Sequence, residues 1–215
     1  IAFTDDDCLP QPEWLETLVE AARQRPGTLV GGTTFNGLPE DVFASTSQLI
    51  IDLVYDHFNA NHDDAYFVTS NNMLCAREGY LALGGFDPTF PRAGAEDRDF
   101  CDRWRAAHWP IVWRPAARVE HRHRQTLRTF LDIHVRYGRG AYTYQAKRRD
   151  RHTGSMRDDL GFHRSLLRRV GRWLLGPGSV RRKAGTVAGL VIWQVANAAG
   201  FALEALSRLR GKRPS

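Results

Sequence analysis

Cysteine is scarce in this chain of 215 residues, and Cys8, Cys75 and Cys101 stand too far apart to form a CxxC pair. That excludes a disulfide framework and a thiolate zinc site as sequence-level readings and favours a reducing, cytosolic setting. No glycine-rich loop closed by a lysine occurs, which leaves phosphoryl or nucleotidyl transfer without its usual support. There is no internal repeat and no low-complexity tract. The chain also lacks an initiating methionine, and Ile1–Thr4 reads as the end of a strand. A further N-terminal portion is therefore expected upstream, and a signal peptide is not judged.

What is present is lopsided charge. Residues 1–117 hold 8 basic and 18 acidic residues, a net of −10, whereas 118–183 hold 18 basic and 5 acidic, a net of +13. The last stretch, 184–215, has 4 basic and 1 acidic residue. The acidic half suits a cation site, and the basic half suits an anionic partner or simply a solvated surface.

Periodicity divides the chain into alternating strands and helices. A helix is expected from Gln11, with Pro12 in its first turn, Trp14, Leu15, Leu18 and Ala22 on one face, and Pro26-Gly27 ending it. "TLVGGTTF" reads as a strand, "DVFASTSQLIIDLVYDHF" as a helix capped by Asp41, and "AYFVTSNNML" as a strand running into a polar turn. A short helix closed by Gly84-Gly85 follows, then a clear helix in "AEDRDFCDRWRAA" and two short strands, "PIVWRP" and "ARVEHRH". A long amphipathic helix starts near Thr126, and two more helices are expected near 162–175 and 180–209. Alternation of this kind predicts an α/β layered domain with a mainly parallel sheet flanked by helices, plus a C-terminal helical extension. The divisions expected are a domain over 1–146, a charged linker over 147–161 and a basic, apolar helical tail over 162–215.

Three places carry chemistry. Asp5, Asp6 and Asp7 follow an apolar strand end, where ligands of open α/β sheets bind. In an extended segment Asp5 and Asp7 point the same way and would share a cation such as Mg²⁺ or Mn²⁺; the alternative is an acid cluster ahead of the first helix. Asp97 shares a helix face with Phe100, Cys101 and Trp104, where an acid serves either as a base or as a partner of the helix N-terminus. The other pairs, Arg98 with Asp102 and Asp99 with Arg103, read as ordinary surface contacts. His121 and His123 have strand spacing and face one side, either as ligands or as a plain strand-end pair.

Taken in order, "FTDDDC", "SNNMLCAREGYLALGGFDPTF", "GAEDRDFCDRW" and "VEHRHR" resemble family 2 glycosyltransferases of the GT-A fold over roughly residues 1–145. The resemblance implies a GT-A-like, Rossmann-like domain lacking its N-terminal nucleotide-binding part. It implies that Asp5 and Asp7 hold a divalent metal, Mg²⁺ or Mn²⁺, with Asp7 the direct ligand, and that His121 completes the metal site better than His123. Asp97 becomes the base and Glu96 its neighbouring helper. Asp5, Asp6, Asn72 and Gly85 face the nucleotide diphosphate sugar, Asn71 and Asn72 forming a turn near it and Gly84–Asp87 a loop shaping the sugar and acceptor pocket. The implied reaction is inverting transfer of a sugar to an acceptor hydroxyl on a glycan, a lipid-linked carrier or a small molecule, in cell-envelope glycan synthesis. A transferase-like scaffold without turnover is the alternative. Nucleic acid is not an expected partner, because the aromatics of the basic half lie in helical register.

Ala184–Leu203 runs 20 residues without a charge, flanked by Arg181, Arg182 and Lys183 before it and by Arg208, Arg210, Lys212 and Arg213 after it. With the basic amphipathic stretch "FHRSLLRRVGRWLLG" ahead of it, this predicts a tail at the cytoplasmic face of the membrane, either inserted or lying at the interface; a helical hairpin packed on the domain is the other reading.

Overall fold

Residues 1–90 and 94–211 are described by the computed structural model, the side chains of 156–160, 163, 164, 167, 210 and 211 excepted. They form two units, one of Ile1–Asp87 with Asp97–Arg124 and one of Pro88–Glu96 with the chain from Gln125 onward.

The first unit is built on five strands: β1 (Ala2–Thr4), β2 (Cys8–Pro10), β3 (Leu29–Asn36), β4 (Asn72–Leu74) and β5 (Ile111–His121). Their order is β1-β4-β3-β5-β2. Only β3 and β5 pair in parallel; β1 with β4, β3 with β4 and β2 with β5 are antiparallel. The mainly parallel, Rossmann-like sheet expected from alternation is thus corrected to a mostly antiparallel one. Alternation holds for β3 and β5, but the three-residue strands around them are too short to announce their direction.

Four helices complete the unit: α1 (Trp14–Gln24), α2 (Val42–Phe58), α3 (Arg77–Ala82) and α4 (Glu96–Ala106), the last from Asp97 onward. α1 lays Trp14, Leu18 and Ala21 on a core with Cys8, Val30, Leu74, Val112 and Val119. Leu15, expected on that face, is instead exposed. Asp41 caps α2 as its sequence suggests, accepting from the backbone N–H of Phe43 and of Ala44 at 2.9 and 3.0 Å. Residues 65–71, expected as strand, form no strand. Buried Asn59 holds their start instead, donating to Phe67 O at 2.8 Å and accepting from Tyr66 N at 2.9 Å.

The two strands expected from "PIVWRP" and "ARVEHRH" are one. β5 stays paired with β3 throughout, but between Gly31/Trp113 and Thr33/Arg118 it carries extra residues that bulge out. The bulge brings Ala117 O over Gly32, where a Cβ would stand only 2.0 Å from that oxygen, so the backbone approach requires glycine. Asn72 fills the space beneath, donating to Ala117 O at 3.0 Å and accepting from Trp14 Nε1 at 2.8 Å.

In the second unit, α5 (Leu127–Arg151), α6 (Met156–Leu175) and α7 (Val180–Gly211) follow in turn. Thr126 starts α5 through a reciprocal capping box with Thr129. The charged stretch 147–161 expected as a linker is mostly helical: α5 continues to Arg151 and α6 begins at Met156. Charge density reads as linker, yet here Lys147 rests over the Phe90 ring at 5.7 Å and Arg148 is buried over Tyr144. Of the basic flank, the side chains of Arg210, Lys212 and Arg213 lie outside the described residues.

Candidate metal and donor site

The acidic triplet is a tight turn, not an extended segment. Cys8 N donates to Asp5 O at 3.2 Å, closing the turn between β1 and β2. Alternation of side chains therefore does not apply, and the expected convergence of Asp5 with Asp7 loses its geometric basis. Asp5 and Asp6 are exposed, while Asp7 is half-buried.

Asp7 faces the end of β5. Its backbone carbonyl accepts from Arg122 N at 2.9 Å, and the neighbouring Cys8 pairs with His121 in the β2–β5 register. On its other side His121 pairs with Asn36 of β3. The backbone of His121 is thus fixed from both flanks, and its Nε2 lies 3.2 Å from Asp7 Oδ1. His123 reaches the second oxygen, Nδ1 to Oδ2 at 2.8 Å. The two rings stack at 5.6 Å with planes 18° apart. Both imidazoles lie against one carboxylate, His121 on Oδ1 and His123 on Oδ2.

One ligand atom each from Asp7, Cys8 and His121 lie within 4.8 Å of one another. Carboxylate oxygen and imidazole nitrogen suit a Mn²⁺-type ion, and burial pushes the Cys8 thiol up to about 11, which keeps it a protonated, poor ligand near neutrality. The residues present therefore fit a divalent ion of the O/N-preferring class, which Asp7 and His121 could hold.

Of the other expected site residues, Asn72 pairs with Thr4 in the β1–β4 register, next to the acidic turn. Asn72, expected beside the donor, is fully buried and its amide is spent on Trp14 and Ala117, so it is a core hydrogen-bond hub. Asn71 is partly open and accepts from Thr69 Oγ1 at 2.8 Å and Thr34 Oγ1 at 3.2 Å. Gly85 has φ +68° and is buried against the Tyr80 ring. Its carbonyl accepts from Arg103 at 2.8 Å.

Asp97 stands in the first turn of α4, half-buried, its Oδ1 accepting from Arg98 N at 2.7 Å. Phe100, Cys101 and Trp104 are buried behind it. Burial drives the phenol of Tyr55 and the thiol of Cys101 up, and the negative charge of Asp97 pushes both further. The lead-in to α4 holds Ala95 at φ +72°, a strained conformation for a residue with a side chain. Glu96 accepts from Gly94 N at 2.6 Å within the second unit.

Arg103 is the residue that sequence reading undervalued. Its pair with Asp99, 2.8 Å, is not a surface contact, because the Asp99 carboxylate is buried. The same guanidinium donates to Leu83 O at 2.6 Å and Gly85 O at 2.8 Å, tying the Gly84-Gly85 turn to α4. Nor does Arg98 read as a simple surface residue: its guanidinium lies over the Phe67 ring at 4.8 Å.

No protein-family model matches the chain. Over 132 residues it is 24% identical to a glucosyl-dolichyl phosphate glucuronosyltransferase of Haloferax volcanii, a match covering 57% of this chain and 42% of that protein. Its fold is similar to that of a mannosyltransferase from Pyrobaculum calidifontis, solved with GDP-Man and Mn²⁺, at a TM-score of 0.53 and 14% identity. That match covers 98% of this chain and 62% of the mannosyltransferase, so the chain spans less than two thirds of either relative. The likeness to the mannosyltransferase is one of fold, over part of that protein.

Proposed function

We propose that the chain carries the metal-side and base-side portions of an inverting glycosyltransferase that uses a nucleotide diphosphate sugar. The observation behind this reading is the single carboxylate of Asp7 held between His121 and His123 at the β1–β2 turn. It is supported by the fold likeness to the mannosyltransferase and by the weak relation to the glucuronosyltransferase. Asp7 and His121 would hold Mn²⁺ or Mg²⁺, which supplies positive charge to the departing diphosphate. His123 keeps the second oxygen of Asp7 fixed. Asp97 accepts the proton of the acceptor hydroxyl as that oxygen attacks the anomeric carbon, so the configuration inverts. Arg103 holds the Gly84-Gly85 turn in place. Asp5 and Asp6, exposed on the turn, would meet the nucleotide diphosphate sugar. A lipid-linked acceptor at the cytoplasmic membrane face fits the basic, apolar tail.

The test is transfer from a panel of nucleotide diphosphate sugars with Mn²⁺, Mg²⁺ or chelator, the anomeric product being read by NMR. Metal-dependent transfer with inversion, lost in Asp7→Ala together with calorimetric Mn²⁺ binding, is the expected result. Transfer that is unaffected by chelator and by Asp7→Ala removes this reading of the site.

A further inference from the structure

α7 has two faces of opposite character. One packs on α5. A Cβ at Gly138 would stand 2.1 Å from Asn197 O, and one at Gly200 would stand 2.0 Å from Val135 O, so the two helices touch backbone to backbone. Arg139 Nε pairs with Glu204 at 3.0 Å, and Arg208 donates to Thr143 Oγ1 at 3.0 Å. The contacts 135/200, 139/204 and 143/208 step together, so α5 and α7 run parallel and are locked in register.

The opposite face is bare. Ala188, Val191, Val195, Ala202, Leu206 and Leu209 recur at helical spacing and are exposed, Val191 to 60% and Val195 to 64%. From Ala184 to Leu209 this stripe contains no charged residue. At its head stand Leu175, 89% exposed, and Val180, 84% exposed. Exposed Arg168, Arg172, Arg181 and Arg182 surround that turn. Lys183 closes it by donating to Leu174 O at 2.7 Å and to Gly176 O.

By length and composition Val180–Leu209 is able to cross a bilayer, yet 28% of its most apolar window is buried. The pairing with α5 opposes crossing. Arg128, Asp132 and Arg136 are exposed on α5, which by the 135/200 register puts them level with about 193–201 of α7. If α7 spanned, α5 would carry these charges to hydrocarbon depth, at about 2.5–3.5 kcal/mol for each charged residue at the centre. Both helices keep their contacts only if α7 lies parallel to the membrane.

We infer that α7 is a monotopic anchor: it lies in the plane of an anionic bilayer, its bare stripe sunk among the acyl chains and its α6–α7 turn on the headgroups. The occupant is a lipid surface because the apolar stripe is headed by arginines, the pattern of an interfacial helix. Each of those arginines near an anionic surface adds about 1 kcal/mol of attraction. This deepens the membrane-facing reading of the tail and is independent of glycosyl transfer.

Cys8, Cys75 and Cys101 are buried, so single cysteines introduced by Ala188→Cys, Val195→Cys and Leu206→Cys can be labelled selectively with the fluorophore NBD. With mixed phosphatidylcholine/phosphatidylglycerol vesicles, all three labels should shift to the blue. Quenching by lipids brominated at shallow or deep positions should then place them at one shared, shallow depth. A depth profile with Val195→Cys deepest overturns the in-plane orientation while keeping the membrane as partner. No shift with vesicles, or a shift that instead follows self-association in sedimentation, overturns the membrane as occupant. Val195→Glu should lower vesicle partitioning about tenfold or more with unchanged circular dichroism and Tm. Unchanged partitioning counts against the stripe.

Discussion

His123 holds Asp7 from 116 residues away, Nδ1 to Oδ2 at 2.8 Å, leaving the other carboxylate oxygen facing His121. Outer partners of this kind typically set metal affinity by about 10- to 100-fold. His123→Ala is therefore expected to weaken Mn²⁺ binding within that range, read by the free-Mn²⁺ EPR signal in a titration. His123→Gln, which keeps a donor, should recover part of it. His121→Ala should cost more than either, since it removes a ligand and not its support.

Asp97→Asn should reduce transfer by about 10²- to 10⁴-fold, the usual worth of a general base. Mn²⁺ affinity and donor binding should stay near their original values, as measured by calorimetry. Equal losses in binding and turnover would show that Asp97 serves the N-terminus of α4 and not the acceptor.

Asn72→Ala is expected to act on stability. It strands the indole N–H of Trp14 and the carbonyl of Ala117 in the core, each costing about 1–3 kcal/mol when left unpaired. Urea unfolding should show the loss, and donor KM should not move in protein that remains folded. Arg103→Ala should also destabilise, by roughly 3 kcal/mol, because Asp99 is left as a buried carboxylate without its guanidinium.

Buried His134 gives the second unit an acid sensitivity. Among the described residues neither ring nitrogen has a hydrogen-bond partner, and burial lowers its pKa to about 4. Between about pH 6.5 and 4 the unfolded chain therefore binds a proton that the folded chain refuses, and stability rises with pH across that window. The contribution is whole above the unfolded pKa, is lost as pH falls toward 4, and amounts to about 3 kcal/mol. His134→Phe, placed beside Phe130, should flatten the dependence of Tm on pH over this range.

Legibility from sequence followed the range of the interaction. Asp41 as a cap, Phe100 and Trp104 as anchors and Thr126 as a helix start depend on neighbours within a turn, and each was readable. The common side of His121 and His123 was readable from spacing of two. What was misread was either a local turn or strand too short to pattern, or a contact made across the fold. Asp5–Asp7 looked extended, but the bond from Cys8 N to Asp5 O makes a turn. Asn72 looked like a polar turn residue until the β5 bulge enclosed it, and Arg103 looked like half of an exposed pair until the Gly84-Gly85 turn folded over it. Sheet direction was lost because three-residue strands have too little pattern to state which way they run.

The bulge in β5 turns the spacing of the chain into chemistry. Between Gly31 and Thr33 on one strand the partner advances from Trp113 to Arg118, and only after that excess does His121 come level with Cys8. Deleting one residue from the strand next to 114–117, with the bulge keeping its length, would bring Arg122 into the place of His121, exchanging an imidazole for a guanidinium beside Asp7. The length of this segment thus sets which side chain stands level with Cys8 and faces Asp7, with every acid of the opening triplet unchanged.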